Sequence, residues 1–501
     1  MSESEGESFR RFLQTTAPII SGLLFVLAFL WSSVLWWLSF VALVPLLFFL
    51  RSADTARRAF LGAYCTGVFL VGSSVAWYWN VLPLDWLELS IQPAKAVLYV
   101  AVSFLIAVFV LAFPIGLWGV LVHRSLSVRK IVIPLLFVPL VWVLLEYARA
   151  WLYALLTYKT GVAMGPHFTI GFLGYFLSYH PFLLQLAALG GVYLLSAIIL
   201  FANTTAFLTA ERIQHSIRVR GLLVVLALVA VVLTGAIPLP TNKTEVISIA
   251  AVHTNFPARA ALSREDYQER AKTFRVVLRE ITEKDETPSV VIFPEGARVF
   301  ATLPPSEIAA FFSSSVQPML VDSGLMSKNG ETYSRLAFFR EGVSLATQDK
   351  IFLAPQGEYI PGLFGAIVKV FGDTTDALEQ HHDYRSGDRK ILTVESNGIV
   401  VGGLFCSELF SPNLYREEKK AGANLLVNAA SHSVFHESRL LYDYFKSVAK
   451  VRAVENRLPL VVAGNVVPSF AVSAQGQIVA EGEWGPASVL FAEIALNKAV
   501  Q

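Results

Sequence analysis

Before residue 240 the chain is dominated by apolar stretches, each long enough to cross about 30 Å of hydrocarbon, a distance that takes roughly 20 residues of helix. Seven such stretches lie near 14–31, 33–50, 60–82, 94–122, 130–156, 182–209 and 220–238. Hydrocarbon offers backbone polar groups no partner, so segments of this length are restricted to helices. The first two form a hairpin around Trp31, Ser32 and Ser33. Composition agrees: 54% of the 501 residues are hydrophobic and 16% charged, too apolar for an ordinary soluble protein. A formal charge of +2 with no long like-charge block argues against a nucleic-acid partner. Arg10 and Arg11 precede the first stretch, but no small-residue cleavage site follows it, so it is expected to stay in the membrane.

Lys and Arg beside helix ends are retained in the cytoplasm, and here they alternate. Arg10 and Arg11, then Arg51, Arg57 and Arg58, then Arg124, Arg129 and Lys130, then Arg212, Arg218 and Arg220 fall at every second connection. The intervening loops, PLDWLELSIQPAK and YKTGVAMGPHFTIGFLGYFLSYHP, are poor in basic residues and rich in aromatics. Trp77, Trp79 and Trp86 are expected there mainly as interface anchors. Seven spans with a cytoplasmic N-terminus place residues 240–501 on the outer side. The expected organisation is a transmembrane domain over 1–239 and an extracytoplasmic catalytic domain over 240–501. Inside the spans, Glu146 and Arg149 share one helix face and are expected to neutralise each other.

The second region reads differently. Short β-rich runs, EVISIAAVH, SVVIFPEGA, PMLVDSG, RKILTVES, GIVVGGLFC, ANLLVNAAS and LPLVVAGNVV, alternate with helical patterns at 264–284, 304–314 and 437–456. That alternation predicts an α/β domain.

Its chemistry centres on GGLFCSELF, an apolar run ending at one of only two cysteines. Cys65 lies in the third apolar stretch and cannot meet Cys406, so Cys406 is expected to be a free thiol. A small buried hydrophobe is the common fate of such a residue. A thiol nucleophile needs a base and a fixed positive charge for the oxyanion, and two segments supply candidates. VIFPEGARVF puts Glu295 after an apolar strand, and QDKIFLAPQGEYIP puts Lys350 and Glu358 after another. Singly, each has an ordinary alternative as a helix-terminal charge, a solvated strand end or half of a surface ion pair.

Together these segments resemble the nitrilase, or carbon-nitrogen hydrolase, superfamily, whose Glu, Lys and Cys follow in that chain order on an αββα sandwich. Preceded by seven spans, such a domain looks like the apolipoprotein N-acyltransferase family of the bacterial inner membrane. VFLVGSSVAWYWN, WVLLEYARAW, AVHTNFPARAALSREDYQERAKTF, KIFLAPQGEYIP and KVRAVENRLPLVVAGN carry the resemblance. It implies Glu295 as general base, Lys350 as oxyanion stabiliser and Cys406 as nucleophile, with Glu358 and Glu408 in support. It implies acyl transfer from a phospholipid, phosphatidylethanolamine-like, through a Cys406 thioester to the N-terminal amine of a diacylglyceryl-cysteine apolipoprotein. No metal, other cofactor or nucleic acid is expected; His381 and His382 have no convergent ligand spacing. The segment NAASHSVFHES, 428–438, departs from the family's Asn-Asp-Ala-Trp-Phe-Gly loop, and Ser407 replaces an aromatic. The triad also permits a membrane-anchored amidase. A transporter is disfavoured because the polar constellation lies outside the apolar stretches.

Overall fold

The structure, a computed structural model, describes residues 3–87, 91–128, 130–212, 244–259, 262–312, 317–371, 383–388 and 391–497. It divides into two compact units. One takes Met1–Ala76, Val102–Tyr153 and Thr169–Pro238; the other takes Trp77–Ala101, Ala154–Phe168 and Leu239–Gln501.

The first unit is helical, with helices Glu3–Leu30, Ala56–Ser74 and Ala187–Arg212 and the greater part of helices Pro93–Val122 and Val132–Leu156. Among the described residues four stretches are long and apolar enough to cross a membrane: Ser32–Arg51, Pro93–Ser127, Val132–Leu156 and Ala187–Glu211. The expected count of seven is not confirmed by these residues. Thr15–Leu30 is apolar but short. The expected third span, 60–82, is α-helical only to Ser74 and continues as a 3-10 turn over Ala76–Val81. The expected seventh, 220–238, lies outside the described residues. Leu105, Phe109, Phe113, Leu117 and Leu121 recur every four residues on one helix and are exposed, as are Leu136, Leu140 and Leu144 on the next. Apolar stripes of this length facing outward suit hydrocarbon as solvent, not water. Glu146 and Arg149 capture irregular backbone: Glu146 Oε1 accepts from Leu173 N–H at 3.0 Å, and Arg149 Nη2 donates to Gly171 O at 2.8 Å. Each charge thus satisfies a peptide group that no helix satisfies.

The second unit contains twelve described strands: β1 Thr244–His253, β2 Val290–Ile292, β3 Met319–Lys328, β4 Glu331–Arg340, β5 Val343–Asp349, β6 Thr393–Ser396, β7 Ile399–Phe405, β8 Leu425–Ser431, β9 Leu460–Asn465, β10 Phe470–Val472, β11 Ile478–Glu481 and β12 Ser488–Asn497. They form two six-stranded sheets, β12-β1-β2-β3-β4-β5 and β11-β10-β9-β8-β7-β6. In each the three consecutive strands β1, β2, β3 or β7, β8, β9 are parallel and the outer ones antiparallel. Strand alternation splits β1 between two cores. Ile247, Ile249 and Ala251 join Val427, Val461 and Phe405 between the sheets, while Ala250 and Val252 meet Phe274 and Val277 of helix Arg264–Thr282. Both faces are buried, so the central strands read as continuous apolar runs. Helix Arg439–Asn456 contributes a buried face that includes Phe445, Val448 and Val451. The result is the αββα sandwich of a nitrilase-like domain.

The segments 77–87 and 154–168 belong to this unit. Trp86 is buried with Leu87 and Ile360, and Trp77 packs edge-on against Phe435 at 5.1 Å. Thr157 O accepts from the Tyr359 hydroxyl at 2.9 Å, Tyr158 O from Gly362 N–H at 3.0 Å, and Lys159 pairs with Asp383 at 2.9 Å. His167 stacks on Phe352 with centroids 3.8 Å apart. Trp86 and His167 thus pack beside the segment that follows Lys350.

Candidate active site

Three strand ends bring the sequence-predicted residues together. Glu295 follows β2 by three residues, Lys350 is the first residue after β5, and Cys406 is the first after β7. Two of these are carboxyl ends of parallel strands, where side chains of α/β sheets project free of the ladder.

Lys350 is the hub. Its Nζ donates to Glu295 Oε1 at 2.9 Å and to Glu358 Oε1 at 3.0 Å, and its side chain is 1% exposed. A buried ammonium is stable only with such partners. Burial alone would lower the Lys350 pKa, but Glu295 and Glu358 outweigh it and hold the amine above its ordinary value. It is a cation throughout the physiological range. Burial pushes Glu295 up to about 7 against the opposing pull of Lys350, which poises it as a base near neutral pH. Burial, then repulsion from Glu295, pushes the Cys406 thiol up to about 12, with Lys350 acting the other way. The resting thiol is therefore protonated, and its Sγ donates to Ser431 O at 3.4 Å.

Glu408 is fully buried and does not reach the ammonium. Its Oε1 accepts from Ile351 N–H at 2.8 Å and Phe352 N–H at 3.1 Å, and its Oε2 from Phe405 N–H at 2.9 Å. One carboxylate thus ties the peptides after Lys350 to the peptide before Cys406. Glu358 has a similar double role, since its Oε2 accepts from Ala354 N–H at 2.6 Å and so fixes the turn that returns it to Lys350.

The turn carrying Glu295 is held by residues the sequence did not single out. Ser323 Oγ accepts from Gly296 N–H at 2.8 Å and donates to Pro294 O at 3.0 Å, bracketing Glu295. Arg270 Nη1 donates to Gly296 O at 2.6 Å while its guanidinium lies 4.5 Å from the Phe256 ring. Asp322 Oδ2 accepts from Phe300 N–H at 3.2 Å just beyond the turn. The polar triplet Asp322-Ser323-Gly324 interrupting an apolar strand was the available signal. His432 is buried beside Ser431, and burial alone lowers its pKa to about 4, so it remains neutral.

The sequence profile described as carbon-nitrogen hydrolase matches residues 260–501, and that described as apolipoprotein N-acyltransferase N-terminal domain matches 21–205. An apolipoprotein N-acyltransferase of Geobacter metallireducens is 27% identical over 96% of this chain and 89% of its own length. One of Rickettsia typhi is 26% identical over 68% of this chain and 66% of its own length, just under two thirds of that relative. A carbon-nitrogen hydrolase of Helicobacter pylori is 16% identical, covering 50% of this chain and 89% of that one with a TM-score of 0.36.

Proposed function

The chain belongs to the apolipoprotein N-acyltransferase family, and from that premise we propose that it moves a fatty acyl group from a membrane phospholipid, through a Cys406 thioester, to the N-terminal amine of a lipid-modified apolipoprotein. The observation that carries the reading is the Lys350 ammonium held between Glu295 and Glu358 at the strand end adjoining Cys406. In the first half-reaction Glu295 takes the Cys406 proton while sulfur attacks the ester carbonyl. The Sγ–C bond forms, and Lys350 steadies the charge on the carbonyl oxygen. The C–O bond then breaks and the lysophospholipid oxygen receives the proton from Glu295. In the second half the acceptor amine attacks the thioester and gives its proton to Glu295, the C–S bond breaks, and Glu295 returns the proton to the Cys406 sulfur. Glu358 keeps Lys350 charged and oriented, and Glu408 joins the two strand ends.

The Arg and Lys alternation supports a cytoplasmic N-terminus and a catalytic domain on the outer side of a bacterial inner membrane, the leaflet where a lipid-anchored acceptor waits. Phosphatidylethanolamine is the donor class we favour. The purified chain, given phosphatidylethanolamine and a diacylglyceryl-cysteine peptide, should yield the N-acylated peptide with an equal amount of lysophospholipid. Amide hydrolysis without acyl transfer would instead establish an amidase.

A further inference from the structure

Two polar side chains at the site serve neither the triad nor the fold. Arg298 lies three residues past Glu295 with φ 58, a left-handed conformation uncommon for a long side chain and held here by its N–H donating to Ser323 O at 2.9 Å. Its stem runs beside Gly324, where an added Cβ would sit 3.6 Å from Arg298 Cγ. Arg270, Arg335, Arg385 and Arg452 each end on a carbonyl or carboxylate. Arg298 ends on none among the described residues, and its Nε is buried without a partner. A buried guanidinium nitrogen left unpaired in the protein is costly unless a ligand completes it. The second side chain is Tyr384, whose backbone N–H donates to Glu358 O at 2.9 Å and which bridges to Thr332. Its phenol has no hydrogen-bond partner among the described residues, and its hydroxyl feels the charges of Glu358, Arg298, Glu295 and Lys350.

A permanent cation and a free O–H donor therefore stand beside a triad whose own cation is already matched by two carboxylates. We propose that Arg298 and Tyr384 form the subsite for the anionic phosphodiester of the acyl donor. The inference rests on the reading that the donor is a phospholipid. Such a lipid carries phosphate and ester on one three-carbon backbone, so an ester carbonyl placed at Cys406 brings its phosphate within reach of the site's rim. Lys350 cannot receive it without giving up Glu295 or Glu358. Arg298 can, through the planar fork that suits phosphate.

The test compares two donors with identical acyl chains, phosphatidylethanolamine and diacylglycerol, in detergent micelles with the full chain. The readout is the rate of acyl-mass gain on Cys406. Arg298→Asn tolerates the left-handed backbone and removes the charge, and Tyr384→Phe keeps the ring. The ratio of phospholipid to diacylglycerol rates should fall about tenfold to a hundredfold in Arg298→Asn and several-fold in Tyr384→Phe. Inorganic phosphate that slows the phospholipid but not diacylglycerol marks a subsite for any phosphate; no slowing, with the ratio still falling, assigns it to the lipid headgroup. Ratios unchanged from wild type in both variants would overturn the subsite while leaving the acyltransferase intact. Acylation of wild type by neither donor would overturn the acyltransferase reading itself.

Discussion

Replacing Glu408 with alanine should damage the site without touching any reacting atom. The change removes the acceptor of three backbone donors at once, Ile351 N–H at 2.8 Å, Phe352 N–H at 3.1 Å and Phe405 N–H at 2.9 Å. A buried donor left without a partner costs about 1–3 kcal/mol, and a hydrogen bond to a charged group contributes about 1.5–3 kcal/mol. Some of that loss is offset, because burial disfavours the Glu408 charge and raises its pKa despite the hydrogen bonds. The net destabilisation expected is about 3–5 kcal/mol. Glu408→Gln keeps the shape and one good acceptor but turns an N–H toward a second N–H, so it should cost about 1–3 kcal/mol. Denaturant midpoints from intrinsic fluorescence in detergent measure the stability, and acyl-mass gain on Cys406 measures the chemistry. Loosening the link between the Lys350 and Cys406 strand ends should slow acylation at least tenfold even where Glu408→Gln remains folded. Unchanged midpoints and rates in both variants would show that this carboxylate does not join the two strand ends.

Ser323→Ala should slow Cys406 acylation about tenfold and shift the pH at which it rises, because the Glu295 turn loses both its brackets, and Ser323→Thr should restore much of the rate. With Glu295 near 7, acylation should rise with pH through about 7 as the base loses its proton, and a rate flat from pH 5 to 9 would exclude it as the base. Glu418 is fully buried with neither oxygen hydrogen-bonded, wedged against Gly402, and burial pushes it up to about 9. A carboxyl raised on folding gives stability that is fully present below its unfolded value and is lost as pH climbs toward 9. Glu418→Gln should therefore stabilise the chain at pH 8 by at most about 5 kcal/mol, read as a higher denaturant midpoint, and do little near pH 4.5; a benefit that is larger in acid would reverse that assignment.

What the sequence disclosed follows from burial. β2, β7, β8 and β9 are buried on both faces and stood out as nearly continuous apolar runs, whereas β4 and β5 expose one side, with Val343 and Leu345 left open. The β3–β4 and β6–β7 hairpins turn at Asn329-Gly330 and Asn397-Gly398, whose paired positive φ angles make the tight turns of twisted strands. Glu295 and Cys406 were legible because each follows such a strand, and the chain order of Glu295, Lys350 and Cys406 supplied the resemblance. Ser323 and Arg270 were not, since a serine on a strand and an arginine on an amphipathic helix are ordinary until Pro294 and Gly296 are seen between them. The share of 77–87 and 154–168 in the α/β unit was equally hidden: an aromatic anchored in a membrane interface and one packed against Phe435 or Phe352 have the same composition.

The most direct measurement is the intact mass of the purified chain after incubation with phospholipid and no acceptor. Cys406 should carry one fatty-acyl mass that neutral hydroxylamine removes and that a diacylglyceryl-cysteine peptide discharges as its N-acyl product. Cys65→Ser should retain the adduct, and Cys406→Ser should lose both adduct and turnover. Full transfer activity with Cys406 unmodified, or an active Cys406→Ser chain, would contradict the covalent mechanism.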